Sequence, residues 1–281
     1  MPTRRNFLAL WLLPLALMAS RASADEKYIF SAPPRETGES ESEVYLPIAE
    51  YLSQATGKKI IYQASNNWLS YQDKMRKGTY DLVFDGPHFV SWRMARLQHI
   101  PLVKLAGDLA FVVIVRKDNN RINDLTSLAG RSVCGMAPPN LATLTFYNQF
   151  SNPVRQPLIT ETQSFAQAYQ GVIDGKCVAA IMRDQVFNKL NKEKEAARVI
   201  FRSPGVPNQA FSASPRFTAE DRAKITEALL SPKAHGPLAQ FFSRYSKDKD
   251  LVPATNAEFR DLQILLKDTW GFEPARDKPS R

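Results

Sequence analysis

One tight corner of the chain combines residue types that suit the binding of a small anion. An apolar run ends at Asp85, and Gly86, Pro87, His88 and Phe89 follow at once. Gly86 lets the backbone approach a small molecule because glycine has no Cβ, and Pro87 is favoured in the first turn of a helix. The amides at the start of such a helix and the positive end of its dipole attract anions. We expect this corner to line a ligand site, although the same residues also suit a plain turn and His88 could be structural.

A second corner of the same kind follows the short apolar strand that contains Cys134. Pro139 and Asn140 precede an apolar run with helical spacing, and Thr143 lies in its first turn. Asparagine is favoured at the N-cap of a helix, which is also a purely structural role. We expect these three residues to contact the ligand, with Thr143 offering a hydroxyl group.

Other candidate ligand contacts follow from their positions at the ends of predicted strands or at a predicted connection between two halves of the chain. They are Pro34, Arg35, Asn67, Trp68, Arg183, Asn208 and Gln209. Arg35 could hold an oxyanion through two parallel hydrogen bonds, or it could be a solvated loop residue. We interpret Trp68 as a wall of a cleft rather than as part of a core.

The elements that must position these residues alternate between strand and helix along the chain. This rhythm predicts an α/β fold in which each half is a mostly parallel sheet flanked by helices. Two extended stretches, 109–118 and 207–215, connect the two halves, and such a pair of crossings allows a hinge with a ligand cleft beside it. We predict one lobe from residues 25–115 and 210–281, and a second lobe from residues 116–209.

The first 24 residues are typical of a cleaved export signal. Arg4 and Arg5 precede an apolar run, and Ala22 and Ala24 have the small-x-small spacing of a cleavage site. The run is too short to cross a membrane. The arginine pair resembles a twin-arginine signal, and an ordinary Sec signal is the alternative. We expect a periplasmic protein that is cleaved near Ala24.

The charge and the cysteines are consistent with that destination. The 281 residues carry a formal charge of +9, and +6 remains without the three arginines of the signal. Because the excess is spread along the chain, we expect no nucleic-acid partner and a mild preference for anionic ligands. Cys134 and Cys177 form an even pair in an oxidising compartment, which favours a disulfide. Two free thiols that bind a soft ion are the alternative.

The sequence has no recognisable catalytic motif. It lacks the common hydrolase, metalloprotease and phosphate-loop patterns, and its three histidines, His88, His99 and His235, are scattered. We therefore expect no enzyme activity and no cofactor. A copper or zinc site formed by Asp85, His88 and Met136 is an alternative that their side-chain chemistry allows.

Four segments carry a resemblance to a known family: YLPIAEYLSQATGKKI, MRKGTYDLVFDGPHFV, FVVIVRKDNNRINDLTSLAGRSVCG and QGVIDGKCVAAI. With these segments the chain resembles the periplasmic substrate-binding proteins of ABC importers, and among them the phosphate, phosphite and phosphonate binders. The resemblance implies a type II periplasmic-binding-protein fold, a monomer without a cofactor, a permease in the inner membrane as partner, and a small oxyanion or phosphonate-like ligand. In that family a helix start rich in serine and threonine wraps the phosphonate oxygens, and residues 138–143 depart from this pattern.

Two functions remain open at this stage. The first is a solute-binding protein that delivers its ligand to an ABC importer. The second is a periplasmic sensor subunit of the same fold, which signals a bound oxyanion or metal to a sensor histidine kinase. The sequence does not separate them, because the partner surfaces carry no motif.

Overall fold

The computed structural model describes residues 26–35, 38–193, 195–246 and 250–272. The predicted export signal and its cleavage site lie outside these residues. The strands are β1 (Lys27–Ser31), β2 (Lys59–Tyr62), β3 (Leu82–Asp85), β4 (Ile100–Leu105), β5 (Asp108–Leu109), β6 (Phe111–Arg116), β7 (Ser132–Gly135), β8 (Leu158–Glu161), β9 (Ala179–Arg183), β10 (Ala197–Arg202), β11 (Val206–Pro207), β12 (Ala210–Ala213) and β13 (Leu251–Pro253). The α-helices are α1 (Gly38–Thr56), α2 (Trp68–Arg76), α3 (Pro87–Leu97), α4 (Leu141–Tyr147), α5 (Phe165–Ile173), α6 (Asp184–Asn191), α7 (Ala219–Leu230), α8 (Ala239–Tyr245) and α9 (Asn256–Phe259). Across the described residues, no helix combines the length and the apolar content needed to cross a bilayer.

The first lobe is built on a six-stranded sheet in the order β13-β4-β12-β3-β1-β2. β1 pairs in parallel with both β2 and β3, and β12 inserts antiparallel between β3 and β4. Phe30, Phe84 and Phe211 are fully buried in its core. Because parallel strands end at the same edge of a sheet, the loops after β1 and β3 lie side by side.

The second lobe is built on a five-stranded sheet in the order β10-β6-β9-β7-β8. β7 pairs in parallel with β8 and β9, whereas β6 pairs antiparallel with both β9 and β10. Five of the six residues of β6 are buried, so this strand is part of the second core. The first boundary between the lobes therefore falls before Phe111, and not at 115–116 as the sequence analysis places it. An apolar strand suits the centre of either sheet, so its local pattern does not assign it to a lobe.

The two crossings between the lobes lie next to each other. β5 and β11 form a two-stranded antiparallel ribbon in which Leu109 lies opposite Val206. Asn208 reinforces the ribbon because its Nδ2 donates to Ala106 O at 3.1 Å. A pair of adjacent crossings is the arrangement that a hinge requires.

The predicted disulfide is present in the second lobe. Cys134 lies in β7 and is bonded to Cys177, which precedes β9, so the alternative of two free thiols is wrong. The bond lies against α5, where a Cβ on Gly171 would be 2.6 Å from Cys134 Sγ. Only glycine allows the helix to approach the disulfide this closely.

Candidate functional site

The first predicted corner forms the N-terminus of α3. Gly86 is the N-cap and Pro87 is the first helical residue. The amides of Phe89 and Val90 both donate to Gly86 O at 3.0 Å. The ring of His88 folds back over Gly86, and a Cβ at this position would lie 2.8 Å from His88 Cε1. The position of the His88 ring therefore favours glycine at residue 86, and the corner presents the positive end of a helix dipole.

His88 connects the two lobes directly. Its Nε2 lies 3.2 Å from Pro139 O in the loop after β7, and the side chain is buried. Desolvation lowers the pKa of His88 to about 3, although the carbonyl of Pro139 acts in the opposite direction. The ring is therefore neutral at pH 7, with Nε2–H donating to Pro139 and Nδ1 as an acceptor. Nδ1 is buried and has no hydrogen-bond partner among the described residues.

The contact between His88 and Pro139 fixes how the two sheets face each other. His88 follows β3 and Pro139 follows β7, so the carboxyl edges of the parallel strands in both lobes meet at the interface. Phe89 supports the contact from behind: it is buried, and its ring stacks on that of His88 at 4.2 Å between centroids. Phe89 is a supporting residue and does not lie on the surface of the cleft.

Asp85 lies beneath the corner rather than on its surface. It is fully buried, and its Oδ2 forms an ion pair with Arg93 Nε at 2.6 Å. Tyr71 donates its hydroxyl to Asp85 Oδ1 at 2.6 Å, and Arg93 Nη2 donates to the same hydroxyl at 3.0 Å. The predicted ligand contact at Asp85 is therefore wrong in this structure, because the carboxylate is saturated from within the fold. The network holds the corner in place.

Arg35 is placed where a ligand could reach it. It follows β1, and its guanidinium lies over the rings of Phe84 and Tyr245, with 5.7 and 5.5 Å from Cζ to the ring centroids. Nη1 lies 3.5 Å from the hydroxyl of Tyr45 and 3.4 Å from that of Tyr245. The side chain is exposed, and no carboxylate of the described residues forms a salt bridge with it. Its neighbour Pro34 is half-buried and lies in the irregular segment after β1.

The second predicted corner uses its polar groups to hold its own backbone. Asn140 caps α4, with its Oδ1 accepting from Ala142 N at 3.0 Å. Thr143 is fully buried, and its hydroxyl donates to Met136 O at 2.6 Å. The expectation that Thr143 offers a hydroxyl to a ligand is therefore wrong in this structure. The sequence pattern around Thr143 does not indicate that its hydroxyl binds the carbonyl of Met136.

Arg183 lies at the carboxyl end of β9, at the same edge of the second sheet as the corner after β7. It is half-buried, and desolvation lowers its pKa. The adjacent Asp184 forms its salt bridge with Arg202 instead. Among the described residues Arg183 has no salt-bridge partner, and the register places it opposite Phe111 at the hinge.

The other predicted contacts have mainly structural roles. Asn67 caps α2 by accepting from Ser70 N at 2.8 Å. Asn208 is committed to the hinge, as described above. Gln209 has a buried Oε1 that lacks a hydrogen-bond partner among the described residues. Trp68 is half-buried and packs against Phe89 with 6.1 Å between ring centroids.

The predicted metal alternative is not supported. Asp85 is paired with Arg93, and the sulfur of Met136 accepts from Asn140 Nδ2 at 3.5 Å. The part of the chain that the structure describes contains no group of three or more His, Cys, Asp or Glu side chains placed to hold a metal ion.

Two residues of the site were missed by the sequence analysis. Arg93 lies in α3 whereas Asp85 ends β3, so no helical spacing pattern indicates the pair. Tyr245 reaches Arg35 from 210 positions further along the chain. No local signal could have connected them, because α8 is brought to β1 only by folding.

Comparisons with known proteins agree with this architecture. The methylphosphonate complex of PhnD1 from Prochlorococcus marinus is similar, with a TM-score of 0.61, 15% identity, and coverage of 86% of this chain and 97% of that protein. A binding protein of a phosphonate ABC transporter from Pseudomonas aeruginosa gives a TM-score of 0.57 at 14% identity, with 83% of each chain covered. A Xanthomonas citri protein solved with ATP gives 0.66 at 15% identity, with 88% and 96% covered. These likenesses establish a shared two-lobed fold of the type II periplasmic binding proteins.

The sequence itself identifies the family. No curated protein matches it in a direct search. The family described as "ABC transporter, phosphonate, periplasmic substrate-binding protein" matches residues 30–259, which is most of the chain and includes both lobes and both crossings. The chain therefore belongs to the family of periplasmic substrate-binding proteins of phosphonate ABC transporters.

Proposed function

We propose that the protein captures a small oxyanion or phosphonate-like solute between its two lobes and delivers it to an ABC permease in the inner membrane. The main support is a pair of arginines, Arg35 and Arg183, at the meeting edges of the two sheets. Neither has a carboxylate partner among the described residues. Arg183 is half-buried, and a partly buried cation is costly unless an anion completes its coordination. Arg35 is exposed, so a solute anion could reach its guanidinium.

The family supports the rest of this assignment. Its members are periplasmic binding components of transporters, so the protein is a binding protein and not an enzyme. A binding component of this kind works with a membrane permease, which we propose as the partner. No observation favours the sensor-kinase alternative over transport.

The two corners differ in the chemical groups that they can offer to an anion. The hydroxyl of Thr143 is used within the second lobe. Pro87 has no N–H, and the amides of Phe89 and Val90 donate to Gly86 O. We therefore propose that recognition depends on the two arginines and on the positive end of the α3 dipole. The neutral His88 adds one acceptor atom, Nδ1, which would favour an anion that carries a proton. Methylphosphonate is the first ligand to test, because its monoanion keeps an acidic proton and a protein of the same fold has been solved with it.

A thermal-shift series tests the ligand class. We would add methylphosphonate, phosphite, phosphate, arsenite and sulfate separately, with sodium chloride at matched ionic strength as the control. A ligand at a hundred times its Kd stabilises the folded state by about 2.7 kcal/mol, which corresponds to roughly 5 °C or more in Tm. A saturable rise with methylphosphonate or phosphite supports the proposal. If no oxyanion raises Tm above the chloride control, the anion assignment is wrong.

Delivery needs a separate test. Cells that express the chain with the permease of its own transporter should take up labelled methylphosphonate in an ATP-dependent manner. Uptake that is unchanged when the binding protein is deleted would contradict the transport role, even if binding is confirmed.

A further inference from the structure

A cavity of about 420 Å³ lies beside the interface between the lobes. One wall is the start of α2, with Trp68 and Leu69. A second wall comes from the other lobe, with Pro139 and Tyr147. The third is formed by residues 264–270, with Ile264 and Trp270. The volume is within the range of natural small-molecule pockets.

The walls of this cavity are held by contacts outside it. Trp68 packs edge-on against Tyr71 with 6.3 Å between ring centroids. Arg76 lies over the ring of Trp270, with 5.7 Å from Cζ to the centroid, and its Nη1 donates to Gly271 O at 3.3 Å. Leu266, in the C-terminal segment, is buried in the same cluster as Tyr71. These contacts fix the positions of the cavity walls.

The apolar rim of the cavity is unusually exposed. Leu69 is 57% exposed, Ile264 is 53% exposed and Trp270 is 65% exposed, and all three line the same space. Large apolar side chains that gather around one concavity mark a binding site more often than an ordinary surface does.

The chemistry of the lining selects an uncharged aromatic molecule. Its only charged members among the described residues, Lys267 and Asp268, carry opposite charges and lie 4.0 Å apart. The cavity is not lined by Arg35, His88 or Arg183. The remaining lining combines four aromatic rings and three prolines with four aliphatic side chains. Its polar groups are the amides of Gln72, Asn148 and Gln156 and the hydroxyls of Ser151 and Thr269. Such walls stack on planar rings and offer hydrogen bonds at their edges.

We infer that this cavity is a second ligand site, which takes a neutral, planar aromatic solute and is distinct from the anion site between the lobes. The inference does not depend on the proposed transport of an oxyanion. The two sites differ in the charge of their walls, so each can be tested with a probe that the other disfavours.

The neutral fluorophore N-phenyl-1-naphthylamine is a suitable probe. Its fluorescence should rise saturably with the purified protein, and Leu69→Ala and Trp270→Ala should each weaken its affinity about tenfold or more. Leu158→Ala is the matched control, because Leu158 is 68% exposed but does not line the cavity. All three side chains are exposed, so we expect the melting temperature of each variant to stay close to that of the wild type.

Three results would overturn the inference. The first is the absence of saturable binding to the wild type. The second is equal affinity in Trp270→Ala, Leu69→Ala and Leu158→Ala. The third is complete displacement of the probe by saturating methylphosphonate, which would place the probe in the anion site. A failure of methylphosphonate to bind at all would contradict only the proposed function.

Discussion

In the first lobe the corner at Gly86 rests on a buried ion pair, whereas in the second lobe the corner at Asn140 follows a strand that carries a disulfide. Asp85 and Arg93 pair with each other within the core, beneath the start of α3. The second corner instead uses its own asparagine and threonine to hold its backbone. The difference shows that one lobe offers the positive end of a helix dipole and a cation, while the other offers mainly a cation.

Breaking the ion pair between Asp85 and Arg93 in the first lobe should cause the largest loss of stability. Arg93→Leu leaves the carboxylate of Asp85 buried without its charge partner, which costs about 3–5 kcal/mol of unfolding free energy. Urea unfolding followed by circular dichroism measures this. Arg116→Ala is the control, since Arg116 pairs with Asp118 in an exposed position, and we expect little change there. A loss below about 1 kcal/mol in Arg93→Leu would show that the corner does not depend on the ion pair.

Removing the disulfide of the second lobe should cause a slightly smaller loss of stability. Replacing Cys134 and Cys177 together by alanine removes a cross-link between residues 43 positions apart, which costs about 3–4 kcal/mol in the chain-entropy model. The same urea experiment measures it, and reduction of the wild type is an independent check. If the double variant is as stable as the wild type, the second lobe does not rely on covalent support.

The sequence predicted the local parts of this comparison. Gly86 and Pro87 open a helix as expected, Asn140 is an N-cap, and the disulfide pairs as expected. The wrong predictions all concern side chains whose hydrogen-bond or ion-pair partner is buried within the fold. Asp85 looked available because Arg93 was not recognised as its partner, and Thr143 looked available because the carbonyl of Met136 was not. Local patterns report which backbone conformation a residue favours, but not which buried atom its side chain will satisfy.

The contact between the corners should make stability depend on pH. Burial lowers the pKa of His88 from 6.5 to about 3, so only the unfolded chain takes up this proton between these values. Stability is therefore full above pH 6.5 and falls as the pH drops, by about 2 kcal/mol at pH 5. Desolvation also lowers the pKa of His99, and the charge of Arg93 adds to that effect, so His99 contributes in the same direction.

His88→Gln isolates the share that belongs to the interface, because the glutamine amide can still donate to Pro139 while it does not titrate. Unfolding free energies at pH 7.5 and pH 5 should differ less in this variant than in the wild type. Equal differences in the two proteins would mean that His88 is not buried neutral at the interface.

The smallest predicted effect is a loss of ligand affinity when the geometry of the first corner is changed at Gly86. Gly86→Ala places a Cβ 2.8 Å from His88 Cε1, so the imidazole must shift from the position in which it contacts Pro139. We expect methylphosphonate affinity to fall about tenfold, or about 1.4 kcal/mol. Gly236→Ala is the matched control, since Gly236 has no atom within 4 Å of its added Cβ and a φ of −69°. Unchanged affinity in Gly86→Ala would separate the position of His88 from ligand binding.

Calorimetric titration of methylphosphonate into Arg35→Ala and Arg183→Ala tests the central claim, which is that an anion is held by charges from both lobes. Each variant should lose about tenfold to a hundredfold in affinity, as expected for a hydrogen bond to a charged group. Arg116→Ala, which removes the same charge from the opposite edge of the second sheet, should stay within about twofold of the wild type. Wild-type affinity in either Arg35→Ala or Arg183→Ala, with the protein folded, would contradict capture between the lobes.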